Sequence, residues 1–341
     1  MSDARPGRLR HSDDSAPGIT RRRKGRYWQY FDADGKRITD RDEIDRLNAV
    51  ALPPAYRDAW FCPFPNGHIQ ATGYDEKGRK QYRYHPGFRA RRDRSKYERT
   101  ADFGRALPKL RRRVAADLRK RGLTQDRIAA AIVRLMDCEY LRVGNEAYAK
   151  ENKSFGATTL RARHAKLNGT SVRMRFRAKS GITRELDITD KSLIRIVRQC
   201  RDLPGQHLFQ YLDDEGAPRP IGSEDVNDYI REATGEDFTA KHFRTWGASA
   251  IAFEVVCAAD DDGVGLDAML EPVAEALGNT PTMARKSYVH PALIEAAKKD
   301  RGKALRGLTC PRATQYLSRA ERGLIAFLDK APRKSSSKAK A

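Results

Sequence analysis

At Gly87 the spacing of apolar residues changes, and a chain built on two spacings does not fold as one uniform layer. Before that point, short aromatic and apolar runs such as RYWQYFDADGKRIT and HIQATGYDEKGRKQYRYH are cut by Asp34-Gly35, Asn66-Gly67 and the stretch from Asp75 to Gly78. Turn residues at such intervals predict short antiparallel strands, with one helix around Asp40 to Leu47 among them. After it, FRARRDRSKYERTADFGRALPKLRRRVAADLRKRG is charged and helically spaced, a linker entering a helical domain. Helical spacing continues through QDRIAAAIVRLMDCEYL and VGNEAYAKEN.

The helical period lapses over residues 159–188, where Asn168-Gly169 and Ser180-Gly181 set off three short segments. In the middle one Val172, Met174 and Phe176 alternate with Arg173, Arg175 and Arg177, which predicts a three-stranded antiparallel meander with one basic face. Helical pattern resumes at Lys191, and in FTAKHFRTWGASAIAFEVV the positions Phe243, Trp246, Ala250 and Ile251 mark one buried face. The expected fold class is therefore α+β: a β-rich domain over residues 21–90 and a mainly helical domain over residues 91–325 that carries the small three-stranded antiparallel sheet. Residues 1–20 read as a disordered arm and residues 326–341 as a basic disordered tail.

Charge narrows the partner. The 341 residues hold 67 Lys+Arg against 45 Asp+Glu, a net +22 spread along the chain, and a field of that sign points to a polyanion. Nucleic acid fits best, with an anionic membrane surface or a ribosome-like structural role as the competing readings. The most apolar run, Ala248 to Ala259, is short and interrupted by Glu254, so no membrane span is expected. Cys62, Cys138, Cys200, Cys257 and Cys310 are isolated, odd in number and read as reduced thiols, which fits a cytoplasmic, nucleoid-associated setting.

No G-x-x-x-x-G-K-[ST], H-E-x-x-H, paired-cysteine spacing or convincing Gly-rich dinucleotide loop occurs, so ATP, zinc and nicotinamide chemistry lose support and no cofactor is expected. A set of cations and one phenol remain. Tyr288 follows Arg285-Lys286 and stands two residues before His290-Pro291, where the proline disfavours helix at His290 and puts the ring beside a break in the chain. Lys241 and Arg244, three apart on a helix, share a face; on its own such a pair reads as a solvated stripe. Lys179 lies at or beside a hairpin tip, and Arg142 lies just before a helix.

In this order along the chain, Arg142, Lys179, Lys241-x-x-Arg244 and Tyr288 resemble the active site of the type IB DNA topoisomerases, the small poxvirus and bacterial class. GHIQATGYDEKGRKQYRYH, and the segment from RRRKGRYWQYFDADGKRITD to LPPAYRDAWFCP, resemble the N-terminal domain of that class, so the likeness covers roughly residues 20–300. It implies a monomeric two-domain clamp around duplex DNA that relaxes supercoils by nicking and resealing one strand without ATP or metal. Tyr288 would form a 3′-phosphotyrosyl ester, Lys179 would protonate the leaving 5′-oxygen, and Arg142 and Arg244 would hold the non-bridging oxygens, with Lys241 beside them. Gln81, Tyr82 and Tyr84 match positions that meet DNA. Strand alternation puts Tyr82 and Tyr84 on one face and Gln81 on the other, so one of the three is misplaced or the strand is bulged.

One position departs from the pattern. Asn279 stands where the poxvirus enzymes have a histidine; its amide can donate to a phosphate oxygen but carries no charge. It could instead help to start the next helix beside Thr280 as N-cap and Pro281 at the first helical position. Two alternatives bound the reading. A tyrosine recombinase would usually show H-x-x-R where this chain has Lys241-x-x-Arg244, and a helical N-terminal domain. A non-catalytic DNA-binding protein predicts no covalent complex with DNA.

Overall fold

The computed structural model describes residues 9–259, 261–306 and 310–330, and divides into two units after Lys96. In the first unit, β1 (Ile19–Lys24), β2 (Tyr27–Phe31), α1 (Arg41–Ala49), β3 (Arg57–Phe61), β4 (Ile69–Tyr74) and β5 (Lys80–Tyr84) follow one another. The five strands form one antiparallel sheet in the order β2-β1-β3-β4-β5, with β2 and β5 at its edges. Asp40 caps α1 by accepting from the Asp42 amide, and Leu47 is buried with Ile19, Tyr30, Leu52, Phe61 and Ala71 in a core of its own.

The arm expected to be disordered over residues 1–20 differs where it is described. The Arg10 amide donates to Asn66 O and the His68 amide to Arg10 O, both at 2.9 Å, and Ser12 Oγ donates to Ile69 O at 3.1 Å. Its few apolar residues hid this, because the segment is held by backbone pairing rather than by burial of large side chains. Residues 1–8, and residues 331–341 of the expected tail, lie outside the described residues; residues 326–330 belong to a helix.

The unit division falls within α2 (Pro86–Glu98), so the stretch read as a linker is helical. The second unit continues through α3 (Thr100–Asp117), α4 (Gln125–Glu139), α5 (Glu146–Asn152), β6 (Ala165–Asn168), β7 (Ser171–Arg177), β8 (Thr183–Ile188) and α6 (Lys191–Arg201). A two-stranded ribbon of β9 (Gln210–Leu212) and β10 (Pro218–Pro220), not anticipated from the sequence, precedes α7 (Ser223–Thr234) and α8 (Ala240–Ala258). Then come α9 (Leu266–Leu277), α10 (Pro281–Ser287), α11 (Pro291–Asp300), α12 (Lys303–Arg306) and α13 (Arg319–Lys330).

The expected meander is the sheet β6-β7-β8. Val172, Met174 and Phe176 are buried and the alternate arginines exposed, but the face is less basic than expected, because Arg173 pairs with Asp187 and Arg175 with Glu185 across the strands, each at 2.9 Å.

α8 does not bury one face; it is sheathed. Helices α3, α4, α7, α9, α11, α12 and α13 all pack against it, and from Phe243 to Ala250 every side chain is buried. Close approach is allowed by glycine: a Cβ at Gly104 of α3 would sit inside the Trp246 ring, and one at Gly247 inside the ring of Tyr140.

Candidate active site

Three helix ends converge. α4 stops at Tyr140, which takes a left-handed conformation (φ 52°) and returns its amide to Met136 O. The chain then runs through buried Leu141 to Arg142, whose carbonyl accepts from the Ala157 amide at 2.8 Å. α9 stops at Gly278, also left-handed at φ 59°, and Thr280 opens α10 by accepting from the Met283 amide at 3.2 Å, with Pro281 in the first turn as expected. α10 ends at Tyr288. The break beyond it is fixed: His290 is extended (φ −61°, ψ 133°), and its amide donates to buried Ser249 Oγ of α8 at 3.0 Å.

Arg244 reaches this junction from inside the protein. It is only 5% exposed, which overturns the solvated-stripe reading; Lys241, one turn earlier, is exposed. Arg244 Nη1 donates to Tyr140 O and Nη2 to Leu277 O at 3.1 Å, so it joins the ends of α4 and α9. Burial pushes its pKa down to about 10, aided by Arg142 and opposed by Tyr288.

Arg142 Nη2 donates to the Tyr288 hydroxyl at 3.0 Å, and the Arg244 guanidinium carbon lies 4.8 Å from the centre of the Tyr288 ring. Burial alone would raise the phenol's pKa, but Arg244 and Arg142 together outweigh it and hold it below the ordinary tyrosine value. Such a phenol ionises more readily than a free tyrosine and has two fixed cations beside the oxygen that would carry the charge. Asn279 is best placed with its oxygen accepting from Arg244 Nη2 at 3.0 Å and its nitrogen donating to Gly278 O at 3.2 Å. Its amide therefore braces Arg244, a role the sequence did not suggest, and the amide atom 3.5 Å from Arg142 Nη2 is then the nitrogen, a donor facing a donor, so Arg142 gains no bond from it.

The structure thus brings Tyr288, Arg142, Arg244 and Asn279 together. Neither lysine is bonded to this group: Lys179 is exposed at the β7–β8 tip, Lys241 is exposed on α8, and among the described residues neither side chain has a hydrogen-bond or ion-pair partner. Arg184 was missed altogether. It donates to carbonyls of the same two helix ends, and the signal was available, because in β8 it shares the inward face with Leu186 and Ile188.

In the first unit, Tyr82 and Tyr84 lie on one face of the edge strand β5, their rings stacked 5.9 Å apart, with Tyr82 41% exposed. Gln81 is not presented with them: its amide donates to Asp75 Oδ2 at 3.0 Å, closing the β4–β5 turn. The bulge lies on β4, between Ile69 and Ala71, and leaves the alternation of β5 intact.

Known proteins similar to this chain point to one family. Residues 85–304 match the family described as eukaryotic DNA topoisomerase I, catalytic core, and residues 27–75 match bacterial DNA topoisomerase IB, N-terminal domain. The chain is 34% identical over 236 residues to DNA topoisomerase 1B of Acanthamoeba polyphaga mimivirus, covering 68% of this chain and 70% of that protein. It is 25% identical over 221 residues to DNA topoisomerase 1 of Mycosarcoma maydis, covering 58% of this chain but 22% of that longer protein. A solved XerH site-specific recombinase, bound to palindromic difH substrate in a post-cleavage complex, overlaps with a TM-score of 0.36 at 15% identity, over 57% of this chain and 50% of that one. A likeness at that level carries no argument. The viral relative and the two family matches do, and by them the chain belongs to the type IB DNA topoisomerases.

Proposed function

We propose that the chain acts as a monomer that grips duplex DNA with both units, cuts one strand through Tyr288, lets torsional strain drive rotation, and reseals the strand without ATP or metal. The Tyr288 oxygen attacks a backbone phosphorus and gives up its proton to solvent; the bond from phosphorus to the 5′-oxygen breaks, and Lys179 protonates that oxygen. The product is a 3′-phosphotyrosyl ester and a free 5′-hydroxyl. Because a phenol of pKa about 10 leaves more readily than an alkoxide, the 5′-hydroxyl can reverse the exchange with no other energy source.

Arg142 and Arg244 would hold the non-bridging oxygens as charge grows on the five-coordinate phosphorus, with Asn279 bracing Arg244 and Lys241 adding positive charge from the surface. Losing either arginine would cost about 10²–10³ in cleavage rate. Tyr82 and Tyr84 would meet the DNA from the first unit. Gln81 would do so only by leaving Asp75.

The observation that carries this reading is the bond from Arg142 to the Tyr288 hydroxyl with Arg244 against the same ring. Purified protein is expected to relax supercoiled plasmid in EDTA without ATP, and to retain radiolabelled DNA after denaturation. Tyr288→Phe is expected to bind DNA and do neither; relaxation by that variant would refute the assignment.

A further inference from the structure

Arg184 sits where strand alternation calls for an apolar side chain. In β8 it lies opposite Phe176 of β7, as Leu186 lies opposite Met174 and Ile188 opposite Val172, and those five partners are buried. A cation on the inward face of a sheet is costly unless its donors are met. Here they are met by helix C-termini, whose last carbonyls have no partner within the helix and carry its negative end. Arg184 Nη1 donates to Glu275 O at 3.0 Å, and Nη2 to Ala276 O at 2.9 Å and Glu139 O at 3.4 Å.

These acceptors adjoin those of Arg244. Arg184 takes Glu139 O at the end of α4 and Arg244 takes Tyr140 O next to it; Arg184 takes Glu275 O and Ala276 O at the end of α9 and Arg244 takes Leu277 O next to them. Two guanidiniums, one from α8 and one from the sheet, hold the same pair of helix ends. Room for the second comes from Gly278, where a Cβ would lie 2.9 Å from both Arg184 Cδ and Nη1.

The β7–β8 hairpin carries Lys179 at its tip, turned by the left-handed Ser180 (φ 66°) and Gly181 (φ 79°). The Ala178 amide donates to Ile182 O at 2.7 Å to close the tip, and Arg184 lies two residues beyond Ile182. We propose that Arg184 is a positioning residue: by fixing the β8 arm of this hairpin to the helix ends that hold Arg244, it sets where Lys179 meets the reacting phosphate. This rests on the reading of Lys179 as the acid that protonates the leaving 5′-oxygen. The hairpin keeps a second anchor, the Phe155 amide donating to Arg177 O at 2.8 Å, so loss of Arg184 loosens the tip and leaves the sheet in place.

A substrate that needs no proton separates positioning from bulk stability. In duplex DNA with sulfur replacing the bridging 5′-oxygen at the cleavage site, the leaving group is a thiolate and departs unprotonated. On ordinary DNA under single-turnover conditions, Lys179→Ala is expected to slow cleavage about 10²–10⁴-fold, and Arg184→Ala about 10–100-fold, the scale of an ångström misplacement. On the sulfur substrate both are expected to return to near the wild-type rate, and the double variant on ordinary DNA to be no slower than Lys179→Ala alone. Arg184→Lys, which keeps a cation at the helix ends, carries the same test should Arg184→Ala fail to melt cooperatively. If Lys179→Ala is rescued by sulfur while the Arg184 variants stay slow, or if the Arg184 variants cut ordinary DNA at the wild-type rate, the positioning role falls alone. If Lys179→Ala is itself not rescued, the reading of Lys179 falls and takes this inference with it.

Discussion

Gly247→Ala is a one-carbon test of how the site is held. A Cβ at residue 247 would fall inside the Tyr140 ring, overlapping Cε1 and Cδ1 and lying 3.1 Å from Cζ. Ordinary carbon contacts are about 3.5–4.0 Å, so the ring must retreat by about 1.5 Å. It has little freedom to do so, because Tyr140 is the left-handed cap of α4, its carbonyl accepts from Arg244, and Arg142 follows two residues later. Overpacking of this kind costs about 1–3 kcal/mol. The larger effect is expected on chemistry, since moving the Tyr140 carbonyl moves both arginines that flank Tyr288, and a displacement near an ångström costs about 10²-fold in rate.

Two measurements check this, thermal unfolding and the single-turnover rate of covalent complex formation. The second variant is Tyr140→Gly, which removes the ring and suits the φ of 52°. If the clash is the cause, Gly247→Ala should cost far less in the Tyr140→Gly background than in the wild type, a coupling between contacting sites. A Gly247→Ala protein with wild-type melting and cleavage, or one whose defect is the same in both backgrounds, would refute the reasoning.

Further outcomes concern Tyr288 and Glu321. Ultraviolet difference titration of wild type against Tyr288→Phe should place the Tyr288 ionisation below the ordinary tyrosine value, and Arg142→Ala or Arg244→Ala should move it upward; no upward movement would sink the electrostatic account. A depressed phenol pKa adds stability only above the ordinary value of about 10 and loses it as pH falls through the folded value, so melting at neutral pH should not report it. In the C-terminal helix, Glu321 accepts from Arg111 at 2.7 Å, Trp246 Nε1 at 3.0 Å and the Ser318 amide at 2.9 Å, and Arg111 also pairs with Asp137. Glu321→Ala should therefore cost about 3 kcal/mol, lowering Tm by about 6–12 °C. Burial opposes ionisation of Glu321 but Arg111 prevails, so its folded pKa is depressed and its contribution should be lost as pH falls through that value.

What the sequence revealed was whatever is written in periodicity and turn chemistry. The helix around Asp40 to Leu47, the three strands divided by Asn168-Gly169 and Ser180-Gly181, and the cap at Thr280-Pro281 each follow from residues close together in the chain. Features depending on contacts far apart in sequence were not legible. Arg244 reads as half of an exposed pair with Lys241 until α8 is known to be wrapped by other helices. The small apolar residues in GASAIA that permit such wrapping look, in one dimension, like a weakly amphipathic helix. The contact of Asn279 with Arg244 is likewise invisible in one dimension; that of Gln81 with Asp75 is close in the chain, but strand alternation does not reveal it. Arg184 alone announced itself, as a charge on the apolar face of a strand, and was passed over because the neighbouring arginines of β7 drew the pattern.

The same geometry explains how the fold keeps like charges together. Arg142 lowers the pKa of Arg244, so the two repel, and neither is paired with a carboxylate among the described hydrogen bonds and ion pairs. A carboxylate would neutralise the cations and would compete with phosphate for the same donors. Backbone carbonyls at helix ends solve this differently. They are fixed dipoles that orient a guanidinium and offset part of its desolvation without cancelling its charge, and they cost no reorganisation when an anion arrives. Holding Arg244 on Tyr140 O and Leu277 O leaves a net positive field at the Tyr288 hydroxyl. The lowered phenol pKa and the capacity to stabilise a doubly charged phosphorane are then two effects of one arrangement. Any change that brings an acidic side chain to either arginine should weaken both together.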